Sequence, residues 1–133
     1  MPVFVAQICS TVSRGHQNSD KGSVDLRLLH VYRFELSCAL ALENFSQFMR
    51  KTLNYPPPWR VEASLRGIKD CKLGLGVRID GLALQDNVVW SKGFNGSEPV
   101  PEYLAPFFES VWAAFGWERT KEARDHLAQD FGT

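Results

Sequence analysis

Trp59-Arg60-Val61-Glu62-Ala63-Ser64-Leu65-Arg66 alternates apolar and polar residues without a break, and Cys71 to Ile79 does so again. A period of two places successive side chains on opposite faces, which is the pattern of a half-buried strand. Trp59, Val61, Ala63 and Leu65 are therefore expected inward, with Leu73, Leu75, Val77 and Ile79 inward on the second strand. Asp80-Gly81 is a pair that a tight type I′ hairpin favours, because both central positions need positive φ. Leu82–Leu84 and Val88–Trp90 read as the returning strand, interrupted around Asp86-Asn87.

Upstream, Cys38, Ala41, Leu42, Phe45, Phe48, Met49 and Thr52 recur at spacings of three and four, predicting an amphipathic helix over about 37–53. Pro56-Pro57-Pro58 enforces its end, since proline supplies no continuing N–H. Leu26 to Leu36 alternates, which favours a strand without excluding a helix. Residues 2–9 are apolar and partly β-branched, as a buried strand would be. Residues 13–23 are polar, with two glycines and no period, and read as a mobile surface loop.

Downstream, residues 93–101 form a Gly/Pro/Asn loop that leads into a helix from about 101 or 102. Proline and carboxylates suit its first turn. Pro106 predicts a break, with the main helix running from Pro106 to Phe115 and ending at Gly116. A last helix over about 118–130 carries Ala123, Leu127 and Phe131 on one side. The fold class expected is α+β: one mainly antiparallel sheet of four to five strands, with helix 37–53 and the C-terminal pair on one face. A chain of 133 residues suits a single domain, 1–133.

Charge is unevenly distributed although the formal net charge is zero. Seven of the fifteen Lys and Arg residues lie between Arg50 and Arg78 against only Glu62 and Asp70, whereas Ile79–Thr133 holds nine acids and four bases. If strands 59–66 and 71–79 pair, Arg60, Arg66, Lys72 and Arg78 share one outward face, flattened by Gly74 and Gly76. Such a face would suit a nucleic acid or another anion, although a pI of 6.8 is low for a nucleic-acid binder. A solvated sheet face explains the same cations.

Phe107, Phe108, Trp112, Phe115 and Trp117 spread around more of a helix than one core stripe requires. They form either a protein interface, where large aromatics dominate the binding energy, or the filling between a sheet and the final helix. Tyr55-Pro56-Pro57-Pro58-Trp59 has the composition of a proline-motif ligand, but reads better as a rigid connector that sets the entry of Trp59 into the core.

The motif search excludes more than it finds. Gly74-x-Gly76 lacks the third glycine of a dinucleotide fingerprint, and phosphate loops, H-E-x-x-H, G-x-S-x-G and Cys/His metal spacings are missing from the sequence. No cofactor and no metal site are expected. Cys9, Cys38 and Cys71 are odd in number and widely spaced, which fits buried free thiols in a reducing compartment. Asn44-Phe45-Ser46 and Asn95-Gly96-Ser97 match the glycosylation pattern by chance on that reading. Met1–Ala6 lacks the features of a secretory leader and no apolar run is long enough for a membrane span, so a cytoplasmic protein is expected. The leading functional expectation is a non-catalytic interaction or accessory module acting through protein–protein contacts, including self-association. Anion or nucleic-acid binding through the basic face is the alternative, and a small enzyme with a dispersed active site the third.

Overall fold

The computed structural model describes the backbone of residues 3–5, 12–19, 22–75 and 78–132, and the side chains of residues 28–75 and 81–132. The chain is α+β. Strands β1 (Val3–Val5), β4 (Trp59–Arg66) and β7 (Asn87–Phe94) form one sheet in the order β1-β4-β7. Strands β2 (Val12–Ser19), β3 (Gly22–His30), β5 (Lys72–Leu75) and β6 (Arg78–Leu82) form a second, in the order β2-β3-β5-β6. The strands are thus divided between two sheets instead of lying in one. Three of the five pairings are antiparallel; β1–β4 and β3–β5 are parallel.

Helix α1 spans Val31–Gln47 and runs on into a single π-helical turn, Phe48–Thr52. It begins six residues before the expected position, inside the alternating stretch. Val31, Phe34, Glu35, Cys38, Ala39 and Leu42 are all buried. That 3-and-4 spacing overlaps the period-two pattern, and burial of a continuous stripe decides between them. No side chain caps the start, so the usual signal for a helix N-terminus is missing. The π-turn is closed by Leu53 N–H donating to Phe48 O at 3.2 Å, and Asn54 follows with φ 51° ahead of the three prolines.

Residues 13–23 also depart from expectation. Residues 13–19 and 22–23 belong to β2 and β3, which pair from Val12↔Leu29 to Ser19↔Gly22, and Asp20 and Lys21 lie outside the described residues. The ladder's backbone hydrogen bonds supply what the polar sequence does not advertise. The hairpin of β5 and β6 pairs Leu75 with Arg78, so it does not turn at Asp80-Gly81. Asp80-Gly81 lies inside β6, where Leu73 pairs with Asp80 and Lys72 with Leu82. Gly81, at φ 66°, is the extra residue of a bulge. The demand for positive φ was legible in the pair; its use was not.

Helix α2 spans Val100–Ala114 without a break at Pro106, and α3 spans Lys121–Phe131. Glu102 and Pro106 are both exposed. The carbonyl that proline leaves without an N–H partner therefore lies on the solvent side, where the loss costs least. At α3, Thr120 Oγ1 accepts from Ala123 N–H at 3.1 Å. One buried cluster joins Leu29 and Leu73 of one sheet, Trp59, Ala63 and Leu65 of the other, and all three helices. Trp59 stacks on Phe94 across β4 and β7, with centroids 5.5 Å apart. Among the described residues, no helix is long and apolar enough to cross a membrane.

Candidate functional site

The basic set is divided between the two sheets. Arg60 and Arg66 stand exposed on β4, Lys72 stands exposed on β5, and Arg78 lies on β6, its side chain outside the described residues. β4 and β5 belong to different sheets, so the pairing on which a shared face depended is not made. Arg60 is further engaged by Glu62 at 3.5 Å and by Ser91 Oγ at 3.2 Å. Gly74 is buried, and a Cβ there would lie 3.5 Å from His30 Nδ1, so it offers no flat approach. Gly76 lies outside the described residues.

The aromatic set is mostly interior. Phe107, Phe108, Trp112 and Phe115 are core residues between α1 and the sheets, and only Trp117 keeps an exposed part. The surplus around α2 is needed because the helix faces α1, α3 and β7 together. The four buried rings are therefore not an interface.

A polar knot in this aromatic core escaped the sequence reading. Glu35, buried on α1, receives Trp112 Nε1–H at 2.6 Å, and Arg119 donates to its two oxygens, the shortest contact being 2.7 Å. The Arg119 guanidinium lies 5.1 Å from the Phe108 ring centre. Both carboxylate oxygens accept from nearby donors and the two charges face each other, the condition under which a buried ion pair is tolerated. Burial, reinforced by the Glu35 carboxylate, pushes the Cys38 thiol up to about 12. A thiol in that state carries almost no thiolate near neutral pH, so Cys38 does not have the chemistry of a nucleophile. Cys71 is also a buried free thiol, whereas Cys9 lies outside the described residues. His126 stacks on Tyr32 at 4.8 Å. Among the described residues, no three His, Cys, Asp or Glu side chains cluster so as to hold a metal.

What the fold does place on the surface is a small apolar patch where β6 leaves its sheet. Ala83 is buried, while Leu82 and Leu84 on either side of it are 49% and 75% exposed. Leu84 N–H donates to Ala114 O at 2.7 Å, which ties this segment to the C-terminal end of α2. The methyl of Leu84 lies against Gly116, and the Trp117 indole lies over Gly81, with no room for a Cβ there. Leu84 and Trp117 are thereby fixed against the turn at Gly116 and against β6, and Leu82 is exposed one residue on from the Gly81 that the indole covers. Beside them, Glu109 and Glu118 line a hollow with Arg119 and Arg124. Because Glu35 neutralises Arg119, the two carboxylates outweigh the remaining cation. No family model, curated protein or solved structure matches this chain.

Proposed function

We propose that this chain is a non-catalytic interaction module, and that Leu82, Leu84 and Trp117 are its docking surface for a protein partner. The observation that carries the reading is the exposure of Leu82 and Leu84 beside a fixed indole. Exposed leucines beside a partly buried indole are the kind of surface on which an interface nucleates. Glu109, Glu118 and the negative end of α2 favour a partner segment with basic as well as apolar side chains.

The chain itself exposes such a segment. Phe48 on the π-turn and Leu53 just after it are 49% and 54% exposed, with Arg50 and Lys51 between them. A second copy is therefore the partner that this chemistry names first, docking head to tail through two different surfaces. Such a contact does not stop at a two-fold dimer, and its assemblies grow with concentration.

Light scattering across a range of concentrations, in low and high salt, tests this. The expected mass rises above 15.0 kDa with concentration at low salt and falls back when salt is added. Leu84→Glu should abolish the rise. A chain that stays monomeric throughout, or a Leu84→Glu variant that associates as well as the parent, sinks the reading.

A further inference from the structure

A cleft of about 540 Å³ opens where the π-turn of α1, the loop before α2 and the end of α3 meet. Its volume is in the range of small-molecule sites. Its lining includes Ser46, Arg50 and Lys51, the carboxylates of Glu43 and Glu98, and an apolar part with Leu40, Val100 and Phe131.

Ser46 is the informative residue. It is 94% buried, and among the described residues its hydroxyl has no hydrogen-bond partner. Ser110, also helical, donates back to Pro106 O at 3.0 Å, the ordinary local solution for a helix serine. Ser46 does not take it, and the little surface it retains belongs to the cleft. Its hydroxyl is therefore open to the cleft, where water or a ligand satisfies it.

The electrostatics around it favour an anion. Glu98 is paired with Lys92 at 3.7 Å, so Arg50 and Lys51 outweigh the one remaining carboxylate of the lining, Glu43. Arg50 and Lys51 have no carboxylate within ion-pair distance among the described residues. Arg50 is steered over Gly96, where φ of 82° and the missing side chain leave room for its guanidinium. Pro99 and Val100 bring the positive end of α2 to the same cleft.

We propose that this cleft binds a small amphipathic organic anion, its carboxylate or phosphate head on Ser46, Arg50 and Lys51 and its apolar body over Leu40 and Phe131. This moves anion recognition from the sheet face expected from sequence to the end of α1. It shares Arg50 and Lys51 with the segment that self-association would use, so the test is made in the Leu84→Glu background to keep self-association out of the measurement.

Octanoate, octyl phosphate and uncharged 1-octanol are titrated separately into 15N-labelled protein. Octanoate, octyl phosphate or both should give saturable amide shifts centred on residues 46–51 and 94–100, while 1-octanol gives none there. Ser46→Ala and Arg50→Gln should each weaken binding roughly tenfold, the scale of one charge-assisted hydrogen bond. Arg50→Gln/Lys51→Gln should abolish it. Arg50 and Lys51 are exposed, so their replacement leaves the fold intact. Failure of both anions to bind, 1-octanol binding as tightly as octanoate, or an unaffected double variant would each overturn the proposal. The stronger of the two anions identifies the head group.

Discussion

Glu35 and Arg119, 84 residues apart in the chain, meet in the core with Nη2 to Oε1 at 2.7 Å and side chains 1% and 3% exposed. The pair bolts the start of α1 to the turn before α3. Its energetic character is asymmetric, because removing one partner strands the other's charge in an apolar interior. Arg119→Met should cost about 3–5 kcal/mol in urea unfolding. Arg119→Met combined with Glu35→Gln should cost less than the two single changes summed. A single-variant cost below ~1 kcal/mol would mean that the pair does not hold the helices together.

Trp112 supplies the third contact to Glu35, at 2.6 Å from its indole nitrogen. Trp112→Phe keeps most of the ring volume and removes the donor. The expected loss is about 1–3 kcal/mol, from one charged hydrogen bond plus a small cavity. In the Glu35→Gln background the same change should cost distinctly less. Equal costs in both backgrounds would separate Trp112 from the carboxylate energetically.

Stability should fall in alkali through two groups. Burial first, and Glu35 second, raise Cys38 from 9.0 to about 12; burial first, and Glu98 second, raise Tyr103 from 10.0 to about 12. Both ionise to anions, and the folded state holds each proton more tightly. Their contribution is therefore complete below about pH 9 and is lost as pH rises through the window from 9 to 12. Denaturation midpoints across pH 8–11 should be level at first and then decline. Cys38→Ala should flatten the decline from pH 9, and Tyr103→Phe its part above 10. Parallel curves for all three proteins would rule out both groups as its source.

The first-turn contact of α3 gives a smaller, cleaner effect. Thr120 Oγ1 accepts from Ala123 N–H, and Thr120→Ala should cost ~1 kcal/mol, with Thr120→Ser close to neutral. Equal loss in both variants would move the effect from the hydroxyl to the packing of the threonine methyl.

These relationships show why the sequence was only partly readable. β4 was legible because a strand with one buried face repeats every two residues over its whole length, and Trp59 and Leu65 lie inward as that period requires. The start of α1 was not, because Val31–Leu36 satisfies both periods and no capping residue marks His30. Nothing local marked Glu35 for burial, because its partners Trp112 and Arg119 are distant in sequence. The cleft was equally hidden: Ser46, Arg50 and Val100 come together only after α1 and α2 pack. The split into two sheets is a matter of long-range pairing, Leu28↔Lys72 and Arg60↔Gly93 among others, which no local period encodes.

Two glycines separate the cost of backbone conformation from the cost of crowding. Gly67 and Gly81 both have positive φ, 73° and 66°, and any L side chain there is strained by roughly 1–2 kcal/mol. Around Gly67 a Cβ meets nothing within 4 Å. At Gly81 it would fall 2.9 Å from Phe115 O and 2.9 Å from Trp117 Nε1. The Phe115 carbonyl belongs to the end of α2 and yields little, so relief must come from displacement of the indole. Gly67→Ala should therefore cost only the conformational penalty, and Gly81→Ala should exceed it by at least ~1 kcal/mol. Displacing Trp117 also disturbs the patch it shares with Leu82 and Leu84, so a change in indole emission should accompany the Gly81 variant alone. Equal costs for the two alanines, with no spectral change, would show that Trp117 is not seated against β6.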